Sequence, residues 1–163
     1  MQKSFVGPDA PGVEVKRTPD GVLISLTDKE NFEMFAVGSS EPHPRLVPLM
    51  GRVAAALAKT PGEVVLRGHT DARPFRSAAS DNWRLSSARA AMARQMLLKG
   101  GLDAARVARV EGWAERGPRR PENPLAAENR RIEILVRDRV ADKEAARAPD
   151  KPAERPAEKG SAR

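Results

Sequence analysis

The chain has 163 residues, 40% of them hydrophobic and 31% charged, which is enough for one domain with a substantial core plus tails. It has no cysteine, which excludes a disulfide framework and thiolate metal sites while leaving the compartment open. Its net charge of +7 favours anionic partners such as nucleic acid, acidic lipid or a carboxylate-rich wall polymer, but four phenylalanines, two tryptophans and no tyrosine offer little for base stacking.

Seven basic and six acidic residues lie from Asp138 onward, so the part before it keeps about +6 of the charge. No window approaches eighteen consecutive apolar residues, and the first eight residues lack the apolar stretch and small-residue cleavage site of a signal peptide. The chain reads as soluble, and equally as the exported part of a longer protein whose membrane anchor lies upstream.

Residues 1–12 are punctuated by glycine and proline and read as loose. Val13-Glu14-Val15 and Val22 to Leu26 flank Thr18-Pro19-Asp20-Gly21, where proline presets the turn and glycine tolerates positive φ. This predicts a hairpin with Val22, Ile24 and Leu26 on its buried face. Phe32, Met34, Phe35 and Val37 follow in an irregular segment apolar enough to dock on the domain.

From Pro44, a first-turn proline by position, Leu46, Leu49, Met50, Val53, Ala54 and Leu57 recur at helical spacing until Pro61-Gly62. Glu63 to Arg67 reads as a short buried strand ending at Gly68. A second helix runs from Asn82 or Trp83 to Lys99 with Leu85, Ala88, Met92 and Met96 as its core line, and Gly100-Gly101 ends it. Strands over 106–112 and 131–137 complete an α/β (α+β) two-layer sandwich, a mixed sheet with helices on one face. Three divisions follow: residues 1–43 as a linker, hairpin and switch segment, 44–137 as the core, and 138–163 as a charged, proline-interrupted tail expected to be mostly disordered.

Asp71 leaves a strand end, the usual place for ligands in α/β folds. Asn82, Ser86 and Arg89 fall at i, i+4 and i+7 on the second helix, which lines them up beside its core face. An acid near a strand end and an arginine on the next helix suit the two ends of a small zwitterion. The plainer reading makes Asn82 or Asp81 a helix cap, leaves Ser86 solvated, and has Arg89 pair with Asp71. For His69 a packed, hydrogen-bonded role is the expectation, because the only other histidine is His43 and no serine has a nucleophile-elbow context. Arg130 and Arg131 open the last strand, and alternation sends them to opposite faces, one toward the site and the other solvated or paired with Glu133. Phe32, Phe35 and Trp113 read as core, and Trp83 stays open.

Gly68-His69-Thr70-Asp71, then Asn82 to Ala90 (N-W-R-L-S-S-A-R-A), then Asn129-Arg130-Arg131-Ile132-Glu133-Ile134 resemble, in this order, the OmpA-like peptidoglycan-binding domain over roughly residues 21–137. The tryptophan after Asn82, the long 72–81 segment and Met34 to Ser39 are similar to one branch, the periplasmic part of the flagellar stator subunit MotB. The resemblance implies a non-catalytic wall anchor without a cofactor. By it, Asp71 and Arg89 hold the ammonium and carboxylate of meso-diaminopimelate in the peptidoglycan stem peptide, with Thr70, Asn82, Ser86 and one of Arg130 or Arg131 in support. It further implies a homodimer, a periplasmic location, and a MotA-type stator partner reached through an inner-membrane helix absent from these residues. Rival expectations are a wall anchor of an outer-membrane protein, lipoprotein or secretion system, and a wall hydrolase using His69 and Asp71. For nucleic-acid binding only charge speaks.

Overall fold

Strands β1 (Gly12–Thr18) and β2 (Gly21–Thr27) form the expected hairpin in a computed structural model that describes residues 10–73 and 81–137. The expectations for residues 1–9, most of the 72–81 segment and the tail from 138 lie outside the described residues. The Pro19-Asp20 turn closes on Gly21, whose φ of 146° is open only to glycine at little cost, and Thr18 Oγ1 donates to the Gly21 carbonyl at 3.1 Å.

Helix α1 (Leu46–Ala58), strand β3 (Glu63–His69), helix α2 (Asn82–Lys99) and strands β4 (Val107–Gly112) and β5 (Arg131–Arg137) follow in the order read from the sequence. The five strands lie in the order β1-β2-β5-β3-β4, with β3 and β4 parallel and the other pairs antiparallel. Parallel β3 and β4 need a crossover, and α2 supplies it. β3 runs two residues beyond the expected end, through Gly68 and His69. Helix α1 starts at Leu46, so the proline inside its first turn is Pro48 and not Pro44. Arg106, expected in β4, belongs to a single 3-10 turn, where its guanidinium donates to the carbonyls of Leu57 at 2.6 Å, Thr60 at 2.5 Å and Gly62 at 2.9 Å. It thereby braces the turn between α1 and β3.

Ile24 and Leu26 of β2, Val64 and Leu66 of β3, and Ile132, Ile134 and Val136 of β5 share one core with Leu49, Met50, Val53 and Leu57 of α1 and Ala93, Met96 and Leu97 of α2. Both helices therefore cover one face of the sheet, as the pattern of elements predicts. Helix α2 is rotated from its predicted face: Ser86, Arg89, Ala90, Ala93, Met96 and Leu97 are buried, while Ala88 is exposed. The reason is close approach. Gly68 lies against the Ser86 carbonyl and the Ala90 methyl, and Gly112 lies against Ser87 and Ser86, with no room for a Cβ at either glycine. Small residues face the sheet here, and a reading weighted to large apolar side chains passes over them.

The core does not divide at residue 43. Phe32, Met34 and Phe35 belong to the same cluster as the sheet, and Asp28 Oδ1 accepts from the Met34 amide at 2.8 Å. Short bridges pair Lys29 with Phe32 and Phe35 with Pro42, and the Phe32 ring lies 4.8 Å from that of His43. Exposing these three side chains costs roughly 5 to 9 kcal/mol at about 1.5 to 3 each, which is comparable to a domain's whole stability. Release of residues 28–35 is thus equivalent to unfolding. By contrast Val37, in the same segment, is 72% exposed.

Two outcomes are expected. Gly68→Ala should lower stability by about 1 to 3 kcal/mol in chemical denaturation, since its methyl has to displace helix backbone. In hydrogen exchange, the Met34 amide should be protected to within about tenfold of Val64 to Leu66 while amides at 37 and 38 exchange quickly; fast exchange at Met34 would restore the larger switch.

Candidate functional site

Strand register builds the site. Thr27 pairs with Arg131 and Arg131 with His69, so the residues one step on, Asp28, Arg130 and Thr70, emerge together at one end of the sheet. Helix α2 adds Asn82, Leu85 and Arg89 along one line, and the segment after β2 adds Glu33, Phe35, Val37 and Gly38. Together with Asp71 and Arg73 these residues line a cleft of about 290 Å³.

Arg130 is its hub. Nη1 meets Asp71 Oδ2 at 2.7 Å and Nε meets Asp28 Oδ2 at 2.8 Å, tying the ends of β3 and β2 to the start of β5. Asp71 Oδ1 also accepts from the Arg73 amide at 2.9 Å, and Arg73 Nη2 lies 3.7 Å from Asp71 Oδ2. Burial pushes the Asp28 carboxyl above its ordinary value, against the opposing pull of the Met34 amide and Arg130. For Arg130, burial is outweighed by its bonds to Asp28 and Asp71, so its pKa rises.

Arg89 does not pair with Asp71. Its Nε donates to the Ser39 carbonyl at 2.8 Å and its Nη2 to that of Ala36 at 3.1 Å, with the guanidinium 5.3 Å over the Phe35 ring. Burial lowers its pKa, and Arg130 adds to this, while Asp28, Asp71 and Glu33 oppose it. The helix cap is Asp81, which accepts from the Arg84 amide at 2.9 Å. Asn82 Nδ2 reaches the Arg73 carbonyl at 3.2 Å and Glu115 Oε1 at 3.4 Å. Thr70 lines the cleft while its hydroxyl donates to the Asp71 carbonyl at 2.9 Å.

Ser86 is fully buried and turned away from the cleft. Its hydroxyl donates to the Trp83 carbonyl at 3.1 Å and accepts from the Ala114 amide at 2.9 Å, holding a non-glycine residue at φ 55°.

The three motifs therefore meet around one cleft, and the same stretch of chain is recognised by descent: the OmpA family model matches residues 34–131. The chain belongs to the OmpA family. It is 34% identical over 134 residues to "Motility protein B" of Escherichia coli K12, covering 81% of this chain and 44% of that protein, so it spans less than half of that relative's length. The structure of the periplasmic domain of Helicobacter pylori MotB (residues 97–256) superposes with a TM-score of 0.67 at 19% identity, over 82% of this chain and 94% of that one. The cell wall anchor of the T6SS from Pseudomonas aeruginosa superposes at 0.62 with 32% identity, over 77% and 88%.

Within this OmpA-family domain the two arginines separate as alternation predicts: Arg130 faces the cleft and Arg131 the helix-free face of the sheet. There Arg131 Nε bonds Glu133 Oε2 at 3.0 Å and its Nη2 donates to the Gly117 carbonyl at 2.6 Å. His69 is buried, its ring nitrogens facing Glu133 Oε1 and the Arg116 carbonyl, both at 3.2 Å. Trp113, expected in the core, instead lies on this face, 37% exposed, with the His69 ring at 5.5 Å and the Arg67 guanidinium at 5.3 Å. Trp83 is exposed, with the Arg116 guanidinium 5.2 Å over its ring.

Asp28, Glu33 and Arg73 are site residues that sequence reasoning missed. Asp28 was reachable only through the β2–β5 register, which the sequence does not print. Asn129 was quoted without a role: fully buried, it accepts from the Arg120 amide at 2.7 Å and donates to the Asn123 carbonyl at 2.9 Å, shaping the loop whose Pro124 carbonyl accepts from the Ala72 amide at 3.0 Å.

Burial alone would raise the Glu133 pKa, but the His69 hydrogen bond and Arg131 carry it from 4.5 down to about 2. A depressed carboxylate contributes stability that is present above its unfolded pKa and lost as pH falls through its folded one. Glu133→Gln should therefore cost on the order of 3 kcal/mol at pH 7. That cost should shrink between about pH 4.5 and 2, as denaturation curves across this range would register.

Proposed function

We propose that this domain is a non-catalytic peptidoglycan anchor of the flagellar-stator type, holding an ion-driven torque-generating unit to the cell wall. The observation that carries the proposal is the cleft that Asp71 and Arg89 both line, each fixed by a different element. Asp71 accepts the ammonium of the diaminopimelate side chain, since an ionised carboxylate has about four lone-pair sites and its bonds to Arg73 and Arg130 leave room for another donor. Arg89 gives its carboxylate the N–H groups not spent on the Ala36 and Ser39 carbonyls. Thr70, Asn82 and Arg130 surround the ligand. Ser86 supports the wall of the cleft from behind, and Arg131 acts from the far face by holding Glu133.

Charge-assisted contacts of this kind contribute ~1.5 to 3 kcal/mol each, a modest single-site affinity that a repetitive wall multiplies. Relationship to "Motility protein B" supports the stator as client. By that relationship the domain works in the periplasm as a homodimer, carried by an upstream inner-membrane helix that meets a MotA-type subunit. No described helix is long and apolar enough to cross a membrane. A second reading keeps the site and changes the client to a secretion apparatus, favoured by the 32% identity to the T6SS anchor. The hydrolase reading is weakened by position: His69 packs under Trp113 on the helix-free face, whereas Asp71 faces the cleft.

In sedimentation with purified sacculi, Asp71→Asn and Arg89→Ala are expected to reduce the bound fraction by about tenfold or more, the loss of one charge-assisted contact. Circular dichroism should show both variants folded, and unaltered co-sedimentation would sink the assignment. Analytical ultracentrifugation at high concentration is expected to show dimers.

A further inference from the structure

The cleft does not end at Arg130. A second, more open and polar groove of about 770 Å³ lies between the segment after β2 and the loop before β5, and it shares Arg73 and Arg130 with the cleft. The two recesses therefore adjoin at these two arginines. The groove's wall includes Lys29, Arg120, Leu125 and Glu128. Its cations are not equally committed. Arg120 sits 3.6 Å from Glu122 and 3.9 Å from Glu128, and Arg130 is held by Asp28 and Asp71. Lys29 has no carboxylate within 4 Å among the described residues, and Arg73 is 59% exposed with only a 3.7 Å contact to Asp71. Leu125 adds an apolar surface that is 56% exposed.

We infer that this groove is a second subsite for a carboxylate on the residue next to the zwitterionic one, held by Lys29 and Arg73, so that the domain reads an acidic peptide and not a lone amino acid. The inference rests on the wall-peptide reading above, and it names the specificity-determining residues of the extension. In a diaminopimelate stem peptide the preceding residue is a γ-linked glutamate whose α-carboxyl is either free or amidated. Two cations beside the cleft favour the free acid. A neutral amide in the same place cannot replace the ion pairs and leaves both cations to water. Glu30 and Glu128, also on the groove wall, penalise a carboxylate placed beside them.

The test is calorimetric titration of the whole chain with alanyl-γ-glutamyl-diaminopimelate as the free α-acid and as the α-amide, beside diaminopimelate alone. The acid is expected to bind about five- to tenfold more tightly than the amide, the size of one partly exposed charge-assisted contact. Lys29→Gln should bring that ratio to within about twofold of one, with affinity for diaminopimelate alone unchanged. Lys29→Arg should restore the ratio. Equal binding of acid and amide by the wild type, or a ratio that survives Lys29→Gln, overturns the subsite while leaving the wall-peptide reading intact. Failure of all three probes to bind overturns the reading and the subsite with it.

Discussion

One guanidinium between two buried carboxylates holds the functional end of this domain together. Arg130 joins Asp28, at the end of β2, to Asp71, at the end of β3, from the start of β5. Three segments far apart in the chain are tied by side-chain charge where the strand ladder ends. Side chains of Asp28 and Asp71 are 5% and 8% exposed, and Arg130 is bonded to both. Removing one partner of a buried ion pair costs about 3 to 5 kcal/mol, mostly from the charge left behind. Here one arginine serves two carboxylates, and burial lifts the Asp28 pKa above its ordinary value. The site is thus part of the fold's stability and not an attachment to it.

Close packing places the other half of the site. Helix α2 carries Arg89, and its distance from the sheet is set by Gly68 and Gly112, where side chains would collide with the backbone and hydroxyls around Ser86 and Ser87. Seated this low, the helix buries Arg89 to 6% exposure and lets it reach the carbonyls of Ala36 and Ser39. These bonds fasten the loop that forms the cleft's outer wall. A glycine in the first motif, read on its own as the mere end of a strand, therefore governs the position of an arginine in the second.

What was legible in the sequence follows from how far each signal reaches. The hairpin, both helices and the strands at 107–112 and 131–137 announce themselves by local periodicity and turn chemistry. The opposite facing of Arg130 and Arg131 follows from the two-residue period of a strand. The buried face of α2 was misread, apart from Met96, because Ser86, Ala90 and Ala93 on it carry little hydrophobic signal. Asp28 was passed over and Trp113 misplaced for a different reason. Their roles depend on strand neighbours far away in the chain, β2 beside β5 and β4 beside β3, and no local pattern encodes that pairing.

The charge balance of the cleft also bears on which ligand it suits. Asp28, Glu33 and Asp71 face Arg73, Arg89 and Arg130 across one space, three acids and three bases in a partly enclosed volume. A ligand with a single charge would leave one of these groups overcompensated and another desolvated without a partner, at a cost of several kcal/mol in a buried setting. A zwitterion adds one charge of each sign and leaves the balance as it was. The ammonium of such a ligand would find Arg130 and Arg73 already at Asp71, and its carboxylate would meet Arg89 beside the carbonyls of Ala36 and Ser39. Asp71 lies just beyond the end of β3 and Arg89 on α2, so the sheet and the helix fix where these two charges stand. An amino acid with its ammonium and carboxylate on the end of a longer chain would meet both charges without forcing the rest of that chain into the cleft.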